Sequence, residues 1–172
     1  IMAKALLVDT NFSSAPIYSV LQGLGYDVHV VGSNPIDALA KSANNFWNID
    51  YSDTTALYDL IERENFDYLI PGCTDRSYKS CAFVSRGRFA GLESPDVEQG
   101  IHNKEKFRTI AEKLNLPIPE TQNININKLD YPVIIKPVDS FSGQGITVMR
   151  SPNRHTFDSA IELAKKTSPT KE

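Results

Sequence analysis

Cysteine, tryptophan, basic clusters and long apolar runs are all scarce in this chain of 172 residues. Two cysteines, Cys73 and Cys81, cannot make a disulfide framework for a chain of this size. Their spacing, with three scattered histidines, fits no metal motif. A net charge of −3 without a clustered basic run leaves no electrostatic footprint for nucleic acid. No apolar segment approaches the roughly 18 to 20 residues of a membrane span and no signal peptide is visible, so a cytoplasmic, reducing setting without membrane contact is the expectation. Glycine is missing from the first strand-to-helix turn, Asp9-Thr10-Asn11-Phe12-Ser13-Ser14, which excludes the dinucleotide fingerprint where that fingerprint should sit.

What is present is an ordinary globular composition, 41% hydrophobic and 23% charged, enough for one core or for a domain and a half. Residues 4–8 read as a buried strand. Ile17, Val20, Leu21 and Leu24 fall at helical spacing, with Ser13 or Ser14 as N-cap and Gly25 at the stop, and residues 28–31 read as a second strand. Strand, helix and strand over this length make a parallel crossover. The hydroxyls of the first turn, with Thr10, Asn11 and Ser13 foremost, together with the helix N-terminus, could receive a small anion such as a substrate carboxylate; a capping loop and nothing more is the plainer alternative.

Residues 35–50, with the sole tryptophan, read as a short helix and a surface connection. Asp53 caps a helix that turns Leu57, Leu60 and Ile61 inward, and residues 66–70 make a third strand. That strand ends in Pro71-Gly72-Cys73-Thr74-Asp75-Arg76, a polar loop at the carboxyl end of a strand, where open α/β sheets bind ligands, which brings Thr74 and Asp75 into consideration. Tyr78, Cys81, Ala82 and Ser85 repeat at helical spacing, so Cys81 is expected in the core and Cys73 outside it. Residues 90–95 suggest a short strand and turn, and 96–100 a helical stub. Asn103 then caps a helix with Phe107, Ile110, Ala111 and Leu114 on one face. Lys104 stands in the first turn of that helix, where the dipole disfavours a cation by about 0.3 to 1 kcal/mol, so something negative should compensate it.

Residues 131–151 carry the strongest signal. Two β-leaning runs, 133–135 and 146–149, flank the polar loop Asp139-Ser140-Phe141-Ser142-Gly143-Gln144-Gly145 and read as adjacent antiparallel strands. Alternation puts Ile134 and Lys136 on one face, so an ammonium leaves the strand where the loop begins. Glycine N–H groups, serine hydroxyls and that charge suit a polyphosphate. The loop is neither a Walker motif, since strand-like residues follow Gly145, nor a dinucleotide motif, since a third glycine is missing. An ordinary hairpin with a mobile tip is the bland alternative.

This strand, lysine, loop and strand arrangement resembles the first ATP-binding lobe of the ATP-grasp superfamily. The resemblance is carried by Tyr-Pro-Val-Ile-Ile-Lys-Pro (131–137), by the Ser-Gly-Gln-Gly loop (142–145), and by Asn103-Lys104-Glu105-Lys106-Phe107 running into Leu-Pro-Ile-Pro-Glu-Thr (116–121). It implies an α/β fold: a Rossmann-like parallel-sheet pre-ATP-grasp domain over residues 1–95, then the first, incomplete ATP-grasp lobe over 96–172. It implies ATP held by Lys104, Lys136, Ser142, Gly143, Gln144 and Gly145, with Lys136 catalytic. Asn103 stands where the family often has aspartate.

Thr10, Asn11, Ser13, Thr74 and Asp75 would then face substrate. Family members run on for more than a hundred residues that carry the adenine-binding linker and the magnesium ligands, so a truncated, inactive piece is expected, with residues 138–144 mobile without nucleotide and Mg2+ bound elsewhere. The implied activity of the whole protein is amide-forming ligation of a small-molecule carboxylate and amine through an acyl phosphate. The subfamily resemblance is to carbamoyl-phosphate-synthase-like enzymes or amino-acid ligases. A non-catalytic ATP-binding module and an ATP-grasp kinase remain as alternatives, and a homodimer stays open.

Overall fold

The computed structural model describes residues 2–120, 125–140 and 143–168. The chain forms two compact units, residues 1–99 and 100–172.

The first unit is an α/β layer structure around a four-stranded sheet of order β3-β2-β1-β4, every neighbouring pair parallel. β1 (Lys4–Val8) is an apolar run whose last four residues are fully buried, as a central parallel strand covered on both faces must be. A single 3-10 turn (Phe12–Ser14) leads into α1 (Ala15–Gly23), which returns the chain to β2 (Asp27–Gly32). α1 turns a different face inward from the expected one. Tyr18 is buried against Leu7, Val28, Val30 and Leu39 with Ile17 and Leu21 half-buried beside it, while Val20 and Leu24 stand in solvent. The tyrosine is the better filler because its hydroxyl finds partners, accepting from Gln22 Nε2 at 3.0 Å and from the Asn44 N–H at 3.1 Å.

After α2 (Ala38–Ser42) comes a strand the sequence reading passed over, β3 (Asn45–Asn48). Its Asn-Phe-Trp-Asn sequence is short and flanked by poor strand formers, and the pairing with β2 makes it a strand. Trp47 donates from Nε1 to His29 Nδ1 at 3.0 Å and its ring lies parallel to the imidazole. α3 (Thr54–Glu64) begins as expected, with Asp53 accepting from the N–H groups of Thr55 and Ala56, and buries Leu57, Leu60 and Ile61.

The next strand, β4 (Tyr68–Pro71), is therefore the fourth, and Phe66 is a core residue ahead of it. α4 (Asp75–Ser85) buries Cys81, Ala82 and Ser85, whereas Tyr78 is exposed. Burial pushes the Cys81 thiol far above its ordinary range. Residues 90–94 form no strand: Ala90 and Gly91 lie in a turn, 92–94 are irregular, and Pro95 already opens the next helix. α5 (Pro95–His102) is longer than the expected stub.

In the second unit, Asn103 accepts from the N–H groups of Glu105 and Lys106 to cap α6 (Lys104–Lys113). Of its apolar face only Ala111 is buried; Phe107, Ile110 and Leu114 are exposed. β5 (Val133–Ile135) and β6 (Thr147–Met149) pair antiparallel, Val133 opposite Met149 and Ile135 opposite Thr147. One face of this ribbon packs on α7 (Arg154–Thr167): Val133, Ile135 and Met149 meet Ile126, Phe157 and Ile161. Its other face leaves Ile134 and Val148 exposed. Among the described residues no helix is long and apolar enough to cross a membrane.

Candidate functional site

Two places gather the residues that the sequence singles out. The first lies at the carboxyl ends of β1 and β4. β1 has β2 on one side and β4 on the other, so the connections diverge here, the topology that in open α/β sheets marks a ligand crevice. Asp9 closes β1 in a conformation unusual for a residue with a side chain, φ 147°, and is 4% exposed. One carboxylate oxygen accepts the Asn11 N–H at 3.0 Å and the other accepts the Ser14 hydroxyl at 3.1 Å. That hydroxyl in turn accepts the Cys73 N–H at 3.1 Å, joining the β1 loop to the β4 loop. Gly72 sits so close that a Cβ would lie 2.3 Å from Asp9 Cβ and 2.6 Å from Ser14 Oγ.

The expected substrate residues are all at this crevice, and most of their side chains are engaged in building it. Thr10 is buried and donates to Asp37 at 2.6 Å. Asn11 caps the 3-10 turn, accepting from Ser13 N–H at 3.0 Å and from the Ser13 hydroxyl at 2.8 Å. Thr74 caps α4 by accepting the Ser77 N–H at 3.2 Å. Asp75 follows in the first turn of α4. Asp9 had no sequence signal beyond its place after an apolar strand, and Ser14, expected as a possible cap of α1, stands at the N-cap position but makes no side-chain cap bond and instead joins the two loops. A smaller cavity in the same unit, about 270 Å³, is lined by Ser52, Arg76, Lys79 and Phe83. Its Arg76 is bonded to Asp50 and Ser52 and lies over the Tyr51 ring. A Ser52 N–H, then the Arg76 charge, hold the Asp50 carboxyl below the usual range, while burial raises the Tyr51 hydroxyl above its ordinary value of 10.0.

The second place is in the other unit, a cleft of about 820 Å³ lined by α6, β5 and α7. Lys104 and Lys136 both line it, as do Ile134, Pro137 and Val138. Lys136 leaves β5 on the exposed face with Ile134, and among the described residues its ammonium has no hydrogen-bond or ion-pair partner. Lys104 donates from Nζ to the carbonyls of Val138 at 2.9 Å and Ser140 at 3.1 Å. Those carbonyl dipoles are the negative groups that its helix position calls for.

The loop after β5 is tied at several points. Ser140 Oγ donates to Gln144 O at 2.9 Å, and Ser168 Oγ donates to Asp139 Oδ1 at 2.6 Å. Gly145 has φ 72°, and a Cβ there would meet Thr167 Oγ1 at 2.0 Å and Pro137 Cγ at 2.8 Å, so glycine is required twice over. Gly143 shares the positive φ, also 72°. Ser142 and Phe141 lie outside the described residues, so the structure bears on the expected mobility of 138–144 only through these ties. Asp139 and Ser168 were not singled out in the sequence, because the contact spans 29 positions and neither residue belongs to a periodic pattern. Among the described residues no group of three or more His, Cys, Asp or Glu side chains is placed to hold a metal ion.

No protein-family model matches the sequence. The chain is 27% identical over 157 residues to a formate-dependent phosphoribosylglycinamide formyltransferase of Histophilus somni (strain 129Pt), covering 86% of this chain and 40% of that protein. Among solved structures, an L-amino acid ligase from Bacillus licheniformis matches with TM-score 0.68 and 20% identity, over 93% of this chain and 41% of the other. An N5-carboxyaminoimidazole synthetase from Staphylococcus aureus, complexed with ADP, matches with TM-score 0.70 and 16% identity, over 96% and 45%. The chain thus spans less than half the length of the relatives it matches.

Proposed function

From the premise that this chain has the fold of the N-terminal part of ATP-grasp ligases and is homologous to them over that part, we propose that it supplies the phosphate-gripping lobe and one substrate crevice of an ATP-dependent carboxylate–amine ligase. The observation that carries the reading is the pair Lys104 and Lys136 on one cleft, the second with no protein partner among the described residues. A partnerless ammonium beside a glycine-bearing loop suits an anion brought by a ligand. The ADP held by a structural neighbour supports a nucleoside polyphosphate as that ligand.

In the proposed reaction a carboxylate oxygen attacks the γ-phosphorus of ATP and ADP leaves. The acyl phosphate is then attacked at its carbonyl carbon by an amine, which loses a proton as phosphate departs. Lys136 meets the charge on the phosphoryl oxygens, and Lys104, already seated on the loop carbonyls, holds the loop that carries Gly143, Gln144 and Gly145. Magnesium, when bound, would add charge neutralisation; its ligands are not assigned to any residue of this chain. The division of labour that follows puts phosphates on residues 96–172 and the acid or amine on residues 1–95, at Thr10, Asn11, Ser13, Thr74 and Asp75. The amino acid ligase likeness supports an amino-acid-ligase type of substrate. The Pro71-Gly72-Cys73-Thr74-Asp75 loop and the Leu116-Pro117-Ile118-Pro119-Glu120-Thr121 segment support carbamoyl-phosphate-synthase-like enzymes and amino-acid ligases alike.

In the full-length gene product, Lys136→Ala is expected to weaken ATP binding by about 1.5 to 3 kcal/mol, the range for a charged hydrogen bond. Calorimetric titration with ATP that returned an unchanged affinity would remove the lysine from the site. ADP release that needs both an acid and an amine supports a ligase, whereas ADP matched by a phosphorylated alcohol would make the protein a kinase.

A further inference from the structure

The loop after β5 begins with a carboxylate, which is the wrong sign for a segment meant to approach a polyphosphate. Asp139 follows Lys136 by three positions, and nothing in the phosphate-binding reading uses it. The structure shows what holds it: Ser168 Oγ, on a residue only 4% exposed, donates to Asp139 Oδ1 at 2.6 Å. Ser168 is the C-cap of α7. A helix C-terminus carries about half a negative charge, so bringing a carboxylate to it is unfavourable unless a specific contact compensates.

The same turn of α7 receives the loop's far end. Gly145 packs against Thr167 with no space for a methyl group. The Thr167 side chain cannot easily yield, because its hydroxyl is engaged by the carbonyls of Leu163 at 2.8 Å and Ala164 at 3.1 Å. Both ends of the loop therefore rest on one helical turn, while Lys104 holds Val138 and Ser140 from α6.

We propose that Thr167 and Ser168, through Asp139 and Gly145, are positioning residues for nucleotide binding. The end of α7 is the seat that sets the phosphate loop at its working height and draws the Asp139 carboxylate against the helix. This rests on the reading of the loop as an ATP site. Ser168 touches no ligand and acts only through the loop.

The test uses the full-length gene product with ATP as the probe and three readouts: the KM for ATP, the kcat, and the thermal midpoint. Ser168→Ala removes the hydroxyl that Asp139 Oδ1 accepts and should raise the KM for ATP about tenfold or more, the equivalent of losing one hydrogen bond to a charged group. The kcat should stay within about twofold at saturating ATP. Ser168→Thr keeps the hydroxyl and should restore the KM.

A Ser168→Ala protein with a lower thermal midpoint but an unchanged KM for ATP would reduce Ser168 to a structural role and overturn the inference, provided Lys136→Ala still raises that KM. Should Lys136→Ala also leave it unchanged, the ATP reading itself falls and takes the inference with it. If Ser168→Ala does not fold, Ser168→Cys replaces it, conserving volume while weakening the donor, with the same expected rise and the same overturning result.

Discussion

The two sheets of this chain are finished to different degrees. The four-stranded parallel sheet has apolar clusters on both sides, one built on Leu6, Val8, Leu57, Leu60 and Ile61 and the other on Leu7, Val30 and Leu39. The two-stranded ribbon has one, under Val133, Ile135 and Met149, and presents Ile134 and Val148 to solvent at 62% and 53% exposure. Such a ribbon is marginal unless something packs on it. Its site follows the same contrast. At the crevice of the first unit most polar side chains are spent on one another, whereas on the cleft of the second an ammonium is left over. A completed scaffold positions a ligand by shape; an uncompleted one still has charge and surface to offer.

That comparison predicts unequal costs for core and face. Leu57→Ala, at 0% exposure, should cost about 2 to 5 kcal/mol by urea denaturation, the range for a buried leucine cavity. A loss under 1 kcal/mol would mean the parallel sheet is less finished than its burial implies. Next in size, Lys104→Met removes two charge-assisted bonds to the loop and should cost the second unit about 1 to 3 kcal/mol, read from amide exchange over residues 133–149. Unchanged protection there would show that the loop does not depend on α6.

Capping supplies a third, smaller effect. Thr74→Ala should cost about 1 kcal/mol of α4 stability, measured by thermal melting, and Thr74→Ser should restore most of it. Alkali supplies a fourth. Burial raises the Tyr51 and Cys81 groups, so the fold binds their protons more tightly than the unfolded chain does. Their contribution is complete below the ordinary values of 9.0 and 10.0 and is lost as pH rises past them, so urea midpoints of the first unit should fall above about pH 9. Tyr51→Phe should flatten that fall. The smallest effect belongs to the open face: Ile134→Ala should change stability by less than about 0.5 kcal/mol, and a larger loss would show that the face is covered in solution.

Much of this was legible in the sequence, because it rests on short-range rules. Asp53 and Asn103 as caps, Leu57, Leu60 and Ile61 as an inward face, and the paired runs 133–135 and 146–149, of which the second forms a strand over 147–149, all follow from local spacing and the loop between them. The failures have a common origin in tertiary choice. Val20 and Leu24 obey the helical repeat as well as Tyr18 does, and only the position of β2 and α2 decides which face is covered. β3 exists because β2 offers it an edge. Phe107, Ile110 and Leu114 form the expected apolar face, yet nothing among the described residues buries it. For the site, the lysines and glycines announced themselves by type, whereas Asp9 with Ser14 and Asp139 with Ser168 are pairings across a turn or across the chain that no periodicity encodes.

Trp47, bonded to His29 on the outermost strand of the parallel sheet, is the only tryptophan in the chain. Its emission is an optical label that nature has placed in one unit alone. An unfolding curve followed by tryptophan fluorescence will record the four-stranded sheet and stay dark to the cleft of Lys104 and Lys136, so a single sharp transition by that signal would say nothing about whether the two units melt together. Fluorescence set beside circular dichroism, which sees helices α6 and α7 as well, would separate them.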